Sequence, residues 1–160
     1  MSIRIAVFAG PARFSARLRP ALAGFFLAGA VLSVGARAQL PPAQHSGQVE
    51  YVSGGIGQDE SSAFRQARGN YPLALTFAVE GGGGSSPYAS GVDVVVENRQ
   101  GQRLLNVTSD GPYLLARLAP GTYKVNAAYN GQLQTREVTV PQSGTADVKF
   151  AWKRPAGGPD

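Results

Sequence analysis

Cysteine is absent from the 160 residues of this chain. That absence excludes a disulfide framework, a thiol nucleophile, a thiolate zinc site and a lipidated N-terminal cysteine. Histidine is nearly absent as well, since His45 is the only one. It sits in a proline-containing stretch with no partner nearby, which is the setting of a solvated bystander rather than a base or ligand. A HExxH zinc motif cannot be written with one histidine, and a Ser-His-Asp system lacks its G-x-S-x-G elbow.

Negative charge is missing from the first 38 residues. All 10 Asp and Glu lie after Gln39, whereas five of the 15 Lys and Arg (Arg4, Arg13, Arg17, Arg19 and Arg37) precede it. The formal net charge of +5 therefore belongs to the N-terminal segment, and the rest of the chain is balanced. A sequence pI near 9.9 does not then signal a basic patch on a folded domain, and nucleic-acid binding is not expected.

Long apolar runs are also lacking. The longest, residues 21–34, has 14 residues, against about 20 for a helix that crosses a bilayer. Four arginines before it, no acid, and Ala36-Arg37-Ala38 after it make the three-part layout of a secretory signal peptide over 1–38, cleaved between Ala38 and Gln39. No adjacent arginine pair marks the twin-arginine route. The expected product is a periplasmic or secreted chain of 122 residues with no stable membrane span.

After cleavage, residues 39–47 carry two prolines and no apolar period, and are read as a flexible lead-in. A single domain is expected over 48–152, followed by a disordered tail at 153–160. Gln48 to Ser53 alternates as a short strand, and Gly54-Gly55-Ile56-Gly57 breaks it. Asp59 is read as a helix N-cap, Glu60 favours the positive end of the helix dipole, and Arg65 and Arg68 favour the other end before Gly69. With Ala63, Phe64 and Ala67 on one stripe, the single helix falls at 59–68. The glycines before it could cradle an anion, but no GK[ST] follows and two acids occupy the first turn, which favours self-capping.

Beyond the helix, Pro72 to Val79 alternates strongly, and Gly81 to Pro87 reads as a mobile loop. From Gly91 to Trp152 strands alternate with turns at Asn98-Arg99-Gln100-Gly101, Asp110-Gly111, Ala119-Pro120-Gly121 and Asn130-Gly131. The last is a strong hairpin signal, because both residues tolerate positive φ. Turns every eight to twelve residues or so with period-two strands predict a mainly β fold. The expected architecture is an antiparallel Greek-key sandwich of seven or eight strands with one short helix.

Thr108-Ser109-Asp110-Gly111-Pro112-Tyr113, followed by Leu118-Ala119-Pro120-Gly121-Thr122-Tyr123-Lys124-Val125, resembles the carboxypeptidase regulatory-like domains, which are small transthyretin-like β-sandwiches. The pattern is a D-G turn, a strand ending in Leu, a P-G turn, and a strand opening Thr-Tyr-x-Val whose aromatic packs inward. It covers about Gly91 to Val140. Gly54 to Glu60 and the helix after it also resemble the opening of uncharacterised exported bacterial proteins carrying this domain. The resemblance implies a sandwich fold and no peptidase activity, since the fold hosts many unrelated roles.

Asp59, Glu60, Asp93, Glu97 and Asp110 are the carboxylates available for paired acid–base chemistry, but each has a structural role as a cap, a turn residue or a solvent-side strand position. The residues therefore point to a non-catalytic exported module of the bacterial cell envelope, with no catalytic, metal or cofactor site, acting through protein–protein contact. The alternative is glycan or peptidoglycan contact through exposed aromatics, with Tyr88, Tyr113, Tyr129 and Trp152 as candidates. A small outer-membrane barrel ranks third, because its strands need about 9 to 11 residues and these run shorter.

Overall fold

A computed structural model describes residues 39–80 and 88–153. Residues 1–38, read above as a leader, the glycine-rich stretch 81–87, read as a mobile loop, and residues 154–160, read as a tail, lie outside the described residues. Among those described, the elements run β1 (Gln44–Ser46), β2 (Val49–Gly54), α1 (Gln58–Ala67), a 3-10 turn (Arg68–Asn70), β3 (Leu73–Glu80) and β4 (Asp93–Glu97). They continue with β5 (Arg103–Thr108), β6 (Tyr113–Ala116), β7 (Gly121–Tyr129), β8 (Gln132–Val140) and β9 (Ala146–Lys153).

The strands form a five-stranded sheet in the order β1-β2-β6-β3-β9 and a four-stranded sheet in the order β5-β4-β7-β8. The fold is thus the expected mainly β sandwich. Among the described residues neither sheet closes on itself as a barrel would; both have edge strands.

Period-two alternation explains the inter-sheet core. Tyr123, Val125 and Ala127 of β7 are buried while Lys124 between them is exposed. They meet Val94 and Val96 of β4 and, from the facing sheet, Leu73, Leu75 and Phe77 of β3 with Phe150 and Trp152 of β9. β3 and β6 are buried on both faces, because their other sides carry a second cluster of Val52, Ala74, Tyr113 and Leu115 beneath Phe64 of α1. The apolar stripe on α1 accordingly covers the outer face of the five-stranded sheet.

The structure corrects five local expectations. Gln44–Ser46, placed in a flexible lead-in, pairs antiparallel with β2, so His45 stands opposite Glu50 and the strands number nine. Gly47 at φ 60 supplies the first central position of a two-residue hairpin turn, a signal that the polar Gln44, His45 and Ser46 conceal. Second, β3 and β9 run parallel, in register from Leu73↔Ala146 to Glu80↔Lys153. β9 arrives from β8 in the other sheet, so no tight turn to β3 constrains its direction.

Third, α1 begins one residue early, with Gly57 at the N-cap and no side-chain cap there. Asp59 is already inside the first turn, where it favours the helix dipole without capping. Glu60 reaches back instead, its Oε2 accepting the Ile56 N–H at 3.1 Å. Fourth, α1 ends at Ala67 rather than Arg68: Arg68 is its C-cap, and the chain runs through Gly69 in a 3-10 segment instead of closing there. Fifth, Lys153, assigned to the tail, closes β9.

Candidate functional site

Three glycines set the local geometry. Gly54, Gly55 and Gly57 have φ of 153, 98 and 89, which turns the chain sharply from β2 into α1. At Gly55 a β-carbon would run into the Tyr113 ring, so only glycine lets the backbone lie against that aromatic. Ser61 pins the turn by donating from Oγ to the Gly55 carbonyl at 2.9 Å. On β2, Ser53 Oγ accepts the Asp110 N–H at 2.9 Å and donates to the Tyr113 carbonyl at 3.3 Å, tying the D-G turn to the same corner.

Tyr113 is the centre of a three-ring stack. Phe64 packs parallel on it with centroids 5.7 Å apart, and Tyr88 lies tilted at 5.6 Å. The Tyr113 hydroxyl donates to the Tyr88 hydroxyl at 3.2 Å. Burial pushes the Tyr113 phenol up to about 12, and the hydrogen bond to Tyr88 adds to the rise, while the charges of Arg65 and Arg68 oppose it. Tyr113 is therefore a neutral donor at physiological pH.

Between this corner and the start of α1 lies an open groove of about 740 Å³, within the usual range for ligand sites. Gln58, Ser62 and Arg65, at helical spacing, line one wall, and Tyr88, Ser90 and Pro112 line the other. Ser62 donates to the Gln58 carbonyl at 2.7 Å, and Arg65 Nη2 donates to Ser62 Oγ at 2.9 Å, so the polar wall is ordered along the helix. Ile56 projects at the mouth, 67% exposed, and Tyr88 is 53% exposed.

The four candidate aromatics do not form one surface. Tyr88 alone is exposed; Tyr113 is buried under the groove as part of the stack. Trp152, at 2% exposure, sits in the inter-sheet core, with Phe150 at 6.1 Å and its indole N–H donating to the Gln132 carbonyl at 2.9 Å. Tyr129 is half-buried against Trp152 at 5.5 Å. Trp152 is turned into the inter-sheet core by strand parity, whereas Tyr113 faces the outer side of its sheet and is buried because Phe64 of α1 stacks over it, so neither ring has the exposure expected of it.

Carboxylates are equally dispersed. Asp93 accepts the Thr108 hydroxyl at 2.6 Å, Glu97 lies 3.6 Å from Arg103 and 3.7 Å from Lys124, and Asp110 accepts the Gln44 amide at 3.4 Å. Among the described residues no three His, Asp or Glu side chains gather as a metal site, and no helix is long and apolar enough to cross a membrane. Gln39 is exposed at the start of the described chain; Ala38 lies outside it.

Ile56 and Arg65 are the groove residues that sequence reasoning missed. The available signal was an isolated isoleucine inside a glycine turn, where no core position can use it. Compared with known proteins, the chain matches no family model and no curated protein.

Proposed function

We propose that this chain is a non-catalytic, exported binding module of the bacterial cell envelope, and that the groove at the start of α1 is its protein-contact site. One observation carries the reading: Ile56 and Tyr88, both large and exposed, line the same groove together with Arg65. Tyrosine and arginine are enriched among the residues that dominate binding energy at protein interfaces, and an exposed isoleucine is suited to an apolar side chain of a partner. The glycan alternative is weaker, since only Tyr88 among the four aromatics offers an exposed ring face.

Export rests on the leader and its cleavage site. Membership of the regulatory-like sandwiches rests on the D-G turn before β6, the P-G turn before β7 and the inward packing of Tyr123. The absence of an enzyme activity rests on the dispersal of acids and the exposed, solitary His45.

A photo-crosslinking residue placed at Ser90, on the groove wall, is expected to capture an envelope protein that the same residue at Arg103, on the other sheet, does not. Ile56→Asp should abolish the Ser90 adduct. Equal adducts from both positions, or a Ser90 adduct that survives Ile56→Asp, would remove the groove from the contact surface.

A further inference from the structure

Resting on the groove as the contact site, we infer that its ligand is an extended segment of a partner protein in which an apolar side chain lies between an acidic and a basic residue about three positions apart. Arg68, Arg103 and Arg117 each face a carboxylate, at 3.0, 3.6 and 2.9 Å. Arg65 has no ion-pair partner among the described residues. Its guanidinium spends one Nη2 bond on Ser62 Oγ, which leaves most of its planar donor fork for an incoming group. A carboxylate is the acceptor that such a fork holds best.

Asp59 lines the same groove and has no cation against it among the described residues. It stands near the N-terminal end of α1, and Arg65 stands near the other end. Six residues of helix separate their backbones by about 9 Å along the axis. An extended chain advances about 3.3 Å per residue, so about three residues span that interval. The groove thus carries an anion towards one end of α1 and a cation towards the other, and Ile56 and Tyr88 add exposed apolar surface to the same lining. Two opposite charges at fixed separation define the direction in which a dipolar segment lies, because reversal sets like charges against each other.

The test uses the purified full chain and three labelled, end-capped tetrapeptides: Glu-Leu-Leu-Lys, its neutral counterpart Gln-Leu-Leu-Gln, and Lys-Leu-Leu-Lys. Fluorescence anisotropy should show the dipolar peptide binding at least tenfold tighter than the neutral one, with the difference shrinking as salt is raised. Arg65→Glu, with an unchanged melting temperature, should shift the preference to Lys-Leu-Leu-Lys by a similar factor. Equal affinity for all three peptides, or an Arg65→Glu chain with the wild-type preference, overturns the inference. If binding ignores charge yet is lost in Ile56→Asp and Tyr88→Ala, the groove stands as contact site and only the charge reading falls. If no peptide binds while the Ser90 adduct still depends on Ile56, the inference falls and the contact site stands. If no peptide binds and the adduct ignores Ile56, both fall. Displacement of the bound peptide by a chito-oligosaccharide would transfer the site to glycans and overturn it as well.

Discussion

Truncating Tyr123 probes the strand on which both sheets depend. The ring is 8% exposed and lies in the inter-sheet core beside Val125 and Ala127. Its hydroxyl donates to the Ala119 carbonyl at 2.6 Å, a tyrosine corner that holds the P-G turn against β7. Two losses can be separated. Tyr123→Phe keeps the ring and strands the carbonyl of Ala119, at a cost of about 1 kcal/mol. Tyr123→Ala also removes the ring and leaves a cavity, at about 3 to 5 kcal/mol, much of a small domain's total of about 5 to 15 kcal/mol. Lys124 is the control, since its side chain is 57% exposed and lies 3.7 Å from Glu97, so Lys124→Ala should cost less than about 0.5 kcal/mol. Urea melts with unchanged slope give the three values directly. A Tyr123→Phe chain as stable as wild type would refute the corner, and a Lys124→Ala chain less stable than Tyr123→Ala would exchange the two faces of β7.

Gly111→Ala should destabilise by about 1 to 3 kcal/mol in thermal melts, because its β-carbon would meet the backbone of Gly54, which cannot yield as a flexible side chain would. Gly69→Ala, with open space around it, should change stability by less than about 1 kcal/mol. The phenol of Tyr113 is pushed up to about 12 in the fold against 10.0 for an unperturbed tyrosine, so the unfolded chain releases that proton first. The stability it contributes is therefore intact below about pH 10 and is lost as the pH rises through about 12, a loss that denaturant melts should show to be smaller in Tyr113→Phe. N-terminal sequencing of the protein from an envelope fraction should begin at Gln39; intact Met1 would refute the leader.

What the residues determined by themselves was local. Strands β2 to β9 were legible because alternating side chains or bounding turn residues mark them, with period-two burial seen in β4 and β7, and the Asn130-Gly131 turn because positive φ at both positions, here 47 and 76, selects those residue types. The burial of Phe64 was legible from its place on the helical stripe. Tertiary structure decided everything that depends on which elements meet. β1 has no apolar period and exists because the edge of β2 offers it hydrogen bonds. The parallel pairing of β3 with β9 follows from the crossing between sheets, which no local pattern encodes.

The candidate site divides in the same way. Tyr88 was legible as an aromatic, but period and composition cannot tell an exposed ring from Trp152, whose parity turns it into the core. Ile56, Arg65 and Tyr88 are distant enough in sequence that no motif joins them. They share a groove because the Tyr113 ring, held by Gly55 below and Phe64 beside it, sets the start of α1 opposite Tyr88. Alternation and turn chemistry act over a few residues and are carried by the sequence, whereas a site built from long-range packing exists only once the sheets and helix have come together.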